Sequence, residues 1–174
     1  MEIVPAMQKD LEDLLDFYSA MCQVLGEKDF LPRRGQGGLP LPGHGGGGHP
    51  GRGPVPGPGG RQVVAAYLMD HQGDAAYDTV TWPVAAARDQ VMVLHALRVL
   101  PAWEGRGYAR AMVEHAIRTA RAAGQKALRL DCIEGNDVPV RLYRACGFRY
   151  VDTVPITYAD IGVPRRFRLY ELAL

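Results

Sequence analysis

The stretch from Val91 to Ile133 constrains this chain more than any other. Val91 to Leu100 is long, apolar and partly β-branched, and Pro101 ends it. A glycine turn follows at Gly105-Arg106-Gly107. From Tyr108 onward, Ala109, Met112, Val113, Ala116, Ile117 and Ala120 recur on one helical face. Arg110, Glu114, Arg118 and Arg121 line the other, with Glu114 placed to pair with Arg118 one turn on. Gly124 suits the position just past a helix end, and Ala127 to Ile133 reads as a second strand. A strand–helix–strand unit of this length makes its two strands parallel, with a right-handed crossover. Parallel neighbours send their carboxyl ends to one edge of the sheet. The loops at 100–108 and 133–138 therefore meet there, at the edge where open α/β sheets take their ligands.

The first of these loops has the chemistry of an anion site. The opening amides of a helix lack partners within it, and the helix dipole favours negative charge beside them. Gly105 and Gly107 let the backbone come close to a ligand, and Arg106 and Arg110 supply guanidinium groups. The same glycines also suit a plain tight turn, so the loop alone leaves both readings open. It is not a GxxxxGK[ST] loop. It is not GxGxxG either, because Arg110 stands where the last glycine would be.

The rest of the chain reads as one domain over residues 1–174. Ile3-Val4 starts a short strand closed by Pro5. Asp10 is placed to cap a helix carrying Leu11, Leu14, Leu15, Tyr18 and Cys22 on one face, with Asp13 completing a capping-box pattern. Residues 35–60 are mostly Gly and Pro, with little to bury against a high backbone entropy, and are expected to form a flexible segment. His44 and His49 lie in it without a rigid frame, which gives no metal site. Val63 to Met69 reads as a strand, His71-Gln72-Gly73-Asp74 as a turn, and Tyr77 to Trp82 as the second arm of a hairpin stopped by Pro83. Asp137 and Pro139 open a helix through Cys146, which Gly147 closes. Phe148 to Val154 and Phe167 to Leu172 read as terminal strands.

Composition narrows the class of function. Lys and Arg number 20 against 19 Asp and Glu, a net charge of +1, so no broad field draws the chain to nucleic acid or to an anionic membrane. No apolar run is long enough to span a bilayer, and the acidic, amphipathic N-terminus is unlike a signal peptide. Three cysteines without CxxC spacing argue against a disulfide framework or a zinc site, and a reducing cytoplasm is the expected setting.

Two motifs give a resemblance. Leu97-Arg98-Val99-Leu100-Pro101-Ala102-Trp103-Glu104-Gly105-Arg106-Gly107-Tyr108-Ala109 resembles motif A of the GNAT superfamily of N-acetyltransferases. Asn136, then Leu142-Tyr143, then Gly147-Phe148 resembles that family's second motif. The likeness covers residues 91–152 well and the front half in outline. It implies the GNAT fold, of the α/β (α+β) class: a mixed, mostly antiparallel sheet with one parallel strand pair flanked by helices. It implies acetyl-CoA as co-substrate and acetyl transfer to a primary amine of a small molecule or peptide. The backbone of Leu97 and Val99 would pair with the pantetheine arm. The amides from Gly105 through Arg106, Gly107, Tyr108 and Ala109 to Arg110 would hold the diphosphate, and Asn136 would contact the cofactor. Tyr143 would protonate the departing thiolate. Glu104 departs from the family's Gln or Arg, and a second helix expected near 35–60 is not recognisable. Both departures keep open an alternative: a CoA-binding regulatory or interaction module without turnover.

Transfer to an amine also needs a way to deprotonate it. A lysine-like amine is neutral in only about one molecule in 2,500 at pH 7, a cost of about 4.6 kcal/mol. His95, Glu104, Asp131 and Glu134 are the candidate bases, and the residues do not choose among them. Thr157-Tyr158-Ala159-Asp160 is a candidate lining for the acceptor site, and equally an ordinary loop.

Overall fold

The structure, a computed structural model, describes residues 3–26, 51–57, 60–158 and 161–174. Seven strands form one sheet: β1 (Val4–Pro5), β2 (Gly51–Gly57), β3 (Gly60–Asp70), β4 (Val91–Val99), β5 (Ala127–Ile133), β6 (Arg149–Ile156) and β7 (Arg165–Ala173), in the order β1-β2-β3-β4-β5-β7-β6. Only β4 and β5 run parallel; all other neighbours are antiparallel. The helices are α1 (Leu11–Gly26), α2 (Tyr108–Ala122) and α3 (Asp137–Ala145).

The crossover unit folds as its pattern requires. α2 buries Met112, Val113, Ala116, Ile117 and Ala120, the face its spacing marks. A fully buried Met or Val side chain contributes about 1.5–3 kcal/mol, so this stripe seats the helix on the sheet. Past its end, Gln125 N donates to Ala120 O (3.1 Å) and Gly124 N to Arg121 O (2.9 Å), with Gly124 at φ +70°. Those paired bonds are a Schellman cap, which needs the left-handed residue. On the polar face Glu114 meets Arg110 at 3.7 Å, one turn back, instead of the expected Arg118.

α2 and α3 cover one face of the sheet. Their cluster joins Met112, Val113 and Tyr143 to Tyr67, Met92, Leu94 and Leu128. On the opposite face Tyr77, Val93, Ile133, Val154 and Phe167 form a second cluster, and α1 packs Phe17 and Met21 on Val63 and Ala66.

Three expectations are corrected. Within 35–60, Gly51–Gly57 is β2, paired with β3 from Gly51↔Tyr67 to Gly57↔Gly60. Main-chain pairing does not need side chains to bury. Pro54 and Pro56 bring no N–H to the ladder, but β2 has β1 beside it only at Gly51 and Arg52, and prolines are tolerated along such an edge. Residues 35–50 and 58–59, with His44 and His49, lie outside the described residues. Second, Tyr77–Trp82 is not a hairpin arm, because β3 already has β2 and β4 on its two sides. Residues 75–79 form a 3-10 turn instead, in which the Asp74 carboxylate accepts from Ala76 N (2.9 Å). Third, Asp10 does not cap α1 from outside. It ends a 3-10 turn over Gln8–Asp10 that leads into the helix, and its carboxylate accepts from Met7 N (2.8 Å).

Candidate active site

β4 and β5 pair at only three positions, Val91↔Ala127, Met92↔Leu128 and Val93↔Arg129. Beyond them β4 continues with β3 as far as Val99↔Ala65, and β5 continues with β7 as far as Ile133↔Phe167. The two strands part, and a gap opens between their carboxyl-terminal halves. A bulge sets what faces it. Ala66 pairs with Arg98 and Leu68 with His95, so Tyr67 alone opposes both Ala96 and Leu97. Ala96 has φ +49°, the one non-glycine residue at positive φ among the described residues, and its carbonyl accepts from the Tyr18 hydroxyl of α1 (3.2 Å). An inserted residue reverses the alternation of side chains. Before the bulge Met92 and Leu94 face α2; after it Leu97 and Val99 do. Among the described residues no strand pairs with Leu97 or Val99 on the side of β5.

At the end of β4 the chain makes a 3-10 turn, Pro101–Trp103, and reaches Gly105 (φ +71°) and Gly107 (φ +82°) before α2 starts at Tyr108. A Cβ on either glycine would meet nothing within 4 Å, so the backbone angle, not crowding, calls for glycine. Among the described residues no backbone carbonyl accepts from the amides of Gly105 through Arg110; the first bond of the helix is Ala111 N to Gly107 O (3.0 Å). The Arg106 guanidinium stacks 4.9 Å over Trp103, which meets Tyr108 edge-to-face. Arg106 and Arg110 are exposed, and so is Glu104. Open amides with two exposed guanidinium groups fit a diphosphate.

Across the gap, α3 begins after Asn136, whose amide donates to Ile133 O (3.1 Å) and whose carbonyl accepts from the Cys132 thiol (3.3 Å). Tyr143 is held by the far end of this helix. Phe148 N donates to Tyr143 O (3.0 Å) and Gly147 N to Arg144 O (3.0 Å), a second Schellman cap with Gly147 at φ +96°. The apolar contact that accompanies such a cap is here the edge-to-face pair Tyr143–Phe148 at 5.9 Å. Tyr143 is 7 % exposed. Burial, with Cys132 beside it, holds its hydroxyl well above the ordinary tyrosine range, so it stays protonated at neutral pH. Burial also pushes the Cys132 thiol up to about 12, which leaves no thiolate to act as a nucleophile.

The opposite face of the gap carries groups the sequence did not bring together. The β4–β5 register, continued past its last pair, sets His95 level with Asp131. His95 Nε2 lies 3.1 Å from Asp70 Oδ1 on β3. Burial opposes the Asp70 charge, but its bonds to His95 and to the Gln72 amide bring the carboxyl below its ordinary range. Asp131 Oδ2 accepts from the Tyr77 hydroxyl (2.9 Å) and the Tyr158 hydroxyl (2.6 Å). Tyr158 lies in the stretch marked as a candidate acceptor lining; Ala159 and Asp160 of that stretch lie outside the described residues. Glu134 is exposed and engaged with Arg166 (3.1 Å). Tyr77 was hidden in the sequence, because its segment looks like a strand; the one local sign of the turn is Asp74 just before it.

The segment that presents Tyr77 is anchored from the sheet. Arg129 pairs with Glu171 at 2.9 Å, Glu171 Oε1 accepts from Val84 N (2.8 Å), and Arg129 Nη2 donates to Val84 O (3.2 Å). The same guanidinium lies 4.0 Å over Trp82, whose Nε1 donates to Tyr77 O (2.8 Å). A shallow cavity of about 340 Å³ opens beside this anchor, lined in part by His71, Tyr77, Trp82 and Arg88.

The model of the acetyltransferase (GNAT) family matches residues 62–148, which span β3 to the end of α3 and include both sides of the gap. The chain belongs to the GNAT acetyltransferase family. A GNAT acetyltransferase takes acetyl-CoA as co-substrate, and the open amides at Gly105–Arg110 suit the diphosphate of that molecule. Solved structures of the same fold include an acetyltransferase of the GNAT family from Streptococcus pneumoniae (18 % identity, 99 % of each chain covered, TM-score 0.69). They also include the ribosomal-protein-alanine N-acetyltransferase of Brucella melitensis (16 % identity, 100 % of each chain, TM-score 0.68). A third is Arabidopsis thaliana NAA60 in complex with acetyl-CoA (16 % identity, 99 % of each chain, TM-score 0.68). A search of curated proteins finds no match to the chain. Among the described residues, no helix of this GNAT protein is long and apolar enough to cross a membrane.

Proposed function

We propose that this GNAT acetyltransferase passes the acetyl group to a primary amine, of a small molecule or a peptide, by direct attack. The observation that carries the reading is the gap between β4 and β5, with open amides and a buried tyrosine on one face and a histidine–carboxylate group on the other. The backbone of Leu97 and Val99 is free to take the pantetheine arm as an added strand. The amides of Gly105, Arg106, Gly107, Tyr108, Ala109 and Arg110 hold the diphosphate, and Asn136 touches the cofactor. The co-substrate supplies a thioester whose leaving group is a thiolate. Tyr143 donates the proton that this thiolate takes up, a role helped by burial that keeps its hydroxyl protonated.

His95 is the base this arrangement supports. With Asp70 accepting from Nε2–H, the other ring nitrogen keeps a lone pair for the amine proton. The second reading is a CoA-binding module without turnover, favoured by exposed Glu104 beside the diphosphate turn, where a carboxylate repels the ligand. Thiol release from acetyl-CoA over a panel of amines separates the two. Release with an amine supports transfer. Thermal stabilisation by acetyl-CoA, without release for any amine, supports the binding module and ends the first reading.

A further inference from the structure

Asp131 is partly buried on β5, and among the described residues no Lys or Arg pairs with it. Both of its bonds arrive on one oxygen, Oδ2, from Tyr77 and Tyr158. Behind those hydroxyls the rings are backed by further aromatics: Tyr77 lies 5.3 Å from Trp82, and Tyr158 meets Phe167 edge-to-face at 5.1 Å. A carboxylate drawn out of water is costly unless a positive charge meets it. Here burial pushes the carboxyl above its ordinary range, although the two tyrosine bonds and His95 pull the other way. If Asp131 only held the turn at 75–79 through Tyr77, a neutral amide would accept the same two bonds at lower cost. An anion with one oxygen, Oδ1, that takes neither of these bonds is what an ammonium group binds. The site also stands level with His95 across the parted strands, where an amine has to lose its proton.

We propose that Asp131, with Tyr77 and Tyr158, is the ammonium-binding subsite for the acceptor, which is therefore a primary alkyl amine that arrives protonated. This rests on the reading of the protein as an amine acetyltransferase. Asp131, fixed by the two tyrosine hydroxyls, holds R–NH₃⁺, and His95 takes one proton from it. The freed lone pair forms the C–N bond to the thioester carbon while the C–S bond breaks. The thiolate takes the Tyr143 proton, and the proton shed by the attacking nitrogen restores Tyr143. The sum is R–NH₃⁺ plus acetyl-CoA giving R–NH–CO–CH₃, CoA thiol and one H⁺.

Asp131→Asn keeps the shape and both tyrosine bonds and removes the charge. Steady-state rates are measured with alkyl amines and with anilines, which are neutral near pH 7. The expected result is a KM for alkyl amines raised at least about tenfold, with the KM for acetyl-CoA and the rates with anilines little changed. The variant should melt at or above the wild-type temperature near neutral pH. An equal loss for both acceptor types, a fall in kcat alone, or a lower melting temperature would overturn the proposal in favour of a structural role. Should that variant not fold, Asp131→Ser is read on the KM difference between alkyl amines and anilines alone. If the wild type releases no thiol with any amine, the transfer reading has failed, and calorimetric titration of an alkyl amine into wild type and variant still judges the subsite. Binding lost in the variant supports it, and no binding by the wild type sinks it.

Discussion

Tyr143→Phe keeps the ring, its edge-to-face contact with Phe148 and the helix cap, and removes only the hydroxyl. A proton donor contributes about 10²–10⁴-fold to rate, so kcat is expected to fall by about that much while acetyl-CoA affinity and melting temperature stay near wild type. An unchanged kcat would take the acid role from Tyr143. Gly107→Glu is expected to abolish the rise in melting temperature that acetyl-CoA produces. It forces a side chain into φ +82° and sets a carboxylate beside the open amides; a thermal shift kept by the variant would move the diphosphate elsewhere. Both residues were legible in the sequence, because a glycine before a helix and a Gly-Phe pair after one follow from local backbone rules. His95 was readable only as a candidate, and Tyr77 not at all. Their partners Asp70 and Asp131 are 25 and 54 residues away along the chain.

At the scale of elements, two devices shape the gap. The bulge in β4 strains Ala96, and a β-branched side chain suits positive φ worse than alanine does. Ala96→Val is therefore expected to lose about 1–3 kcal/mol of unfolding free energy, while Ala96→Gly stays level or gains up to about 1 kcal/mol; denaturant titration measures both. The second device is the Arg129–Glu171 anchor, in which Glu171 is 4 % exposed. Glu171→Ala leaves the partly buried Arg129 guanidinium without its carboxylate and the Val84 amide without its acceptor, an expected cost of about 3 kcal/mol in the same titration. Glu171→Gln keeps an acceptor for Val84 and should cost less. No local pattern announces either device. A bulge is a relation between two strands, and the anchor joins three segments far apart in sequence, which is why residues 77–82 read as a strand arm and fold otherwise.

Over the whole molecule, the two carboxylates beside His95 act oppositely on stability. Asp70, held below its ordinary range, contributes stability that is present above its unfolded value and is lost as pH falls through its folded one. Asp131, held above its ordinary range by burial although Tyr158, Tyr77 and His95 pull it down and Asp74 adds to the rise, behaves in reverse: its contribution is full below its unfolded value and disappears as pH rises through the folded one. Asp131→Asn is accordingly expected to match wild type in acid and to be the more stable protein as pH rises, with melting temperature against pH as the measurement. A constant difference at all pH values would contradict the assignment. By itself the sequence determined the parallel crossover, the helix faces and their glycine caps, the glycine turn before α2 and the family. Each of these is encoded by neighbours a few residues apart, through backbone angles and periodic burial. Only the tertiary structure decided where β4 and β5 part, that a Gly/Pro segment supplies a strand, and that Asp70, His95, Asp131, Tyr77 and Tyr158 share one face. Register and sheet order come from pairings between distant strands, and no stretch of sequence carries those distances alone.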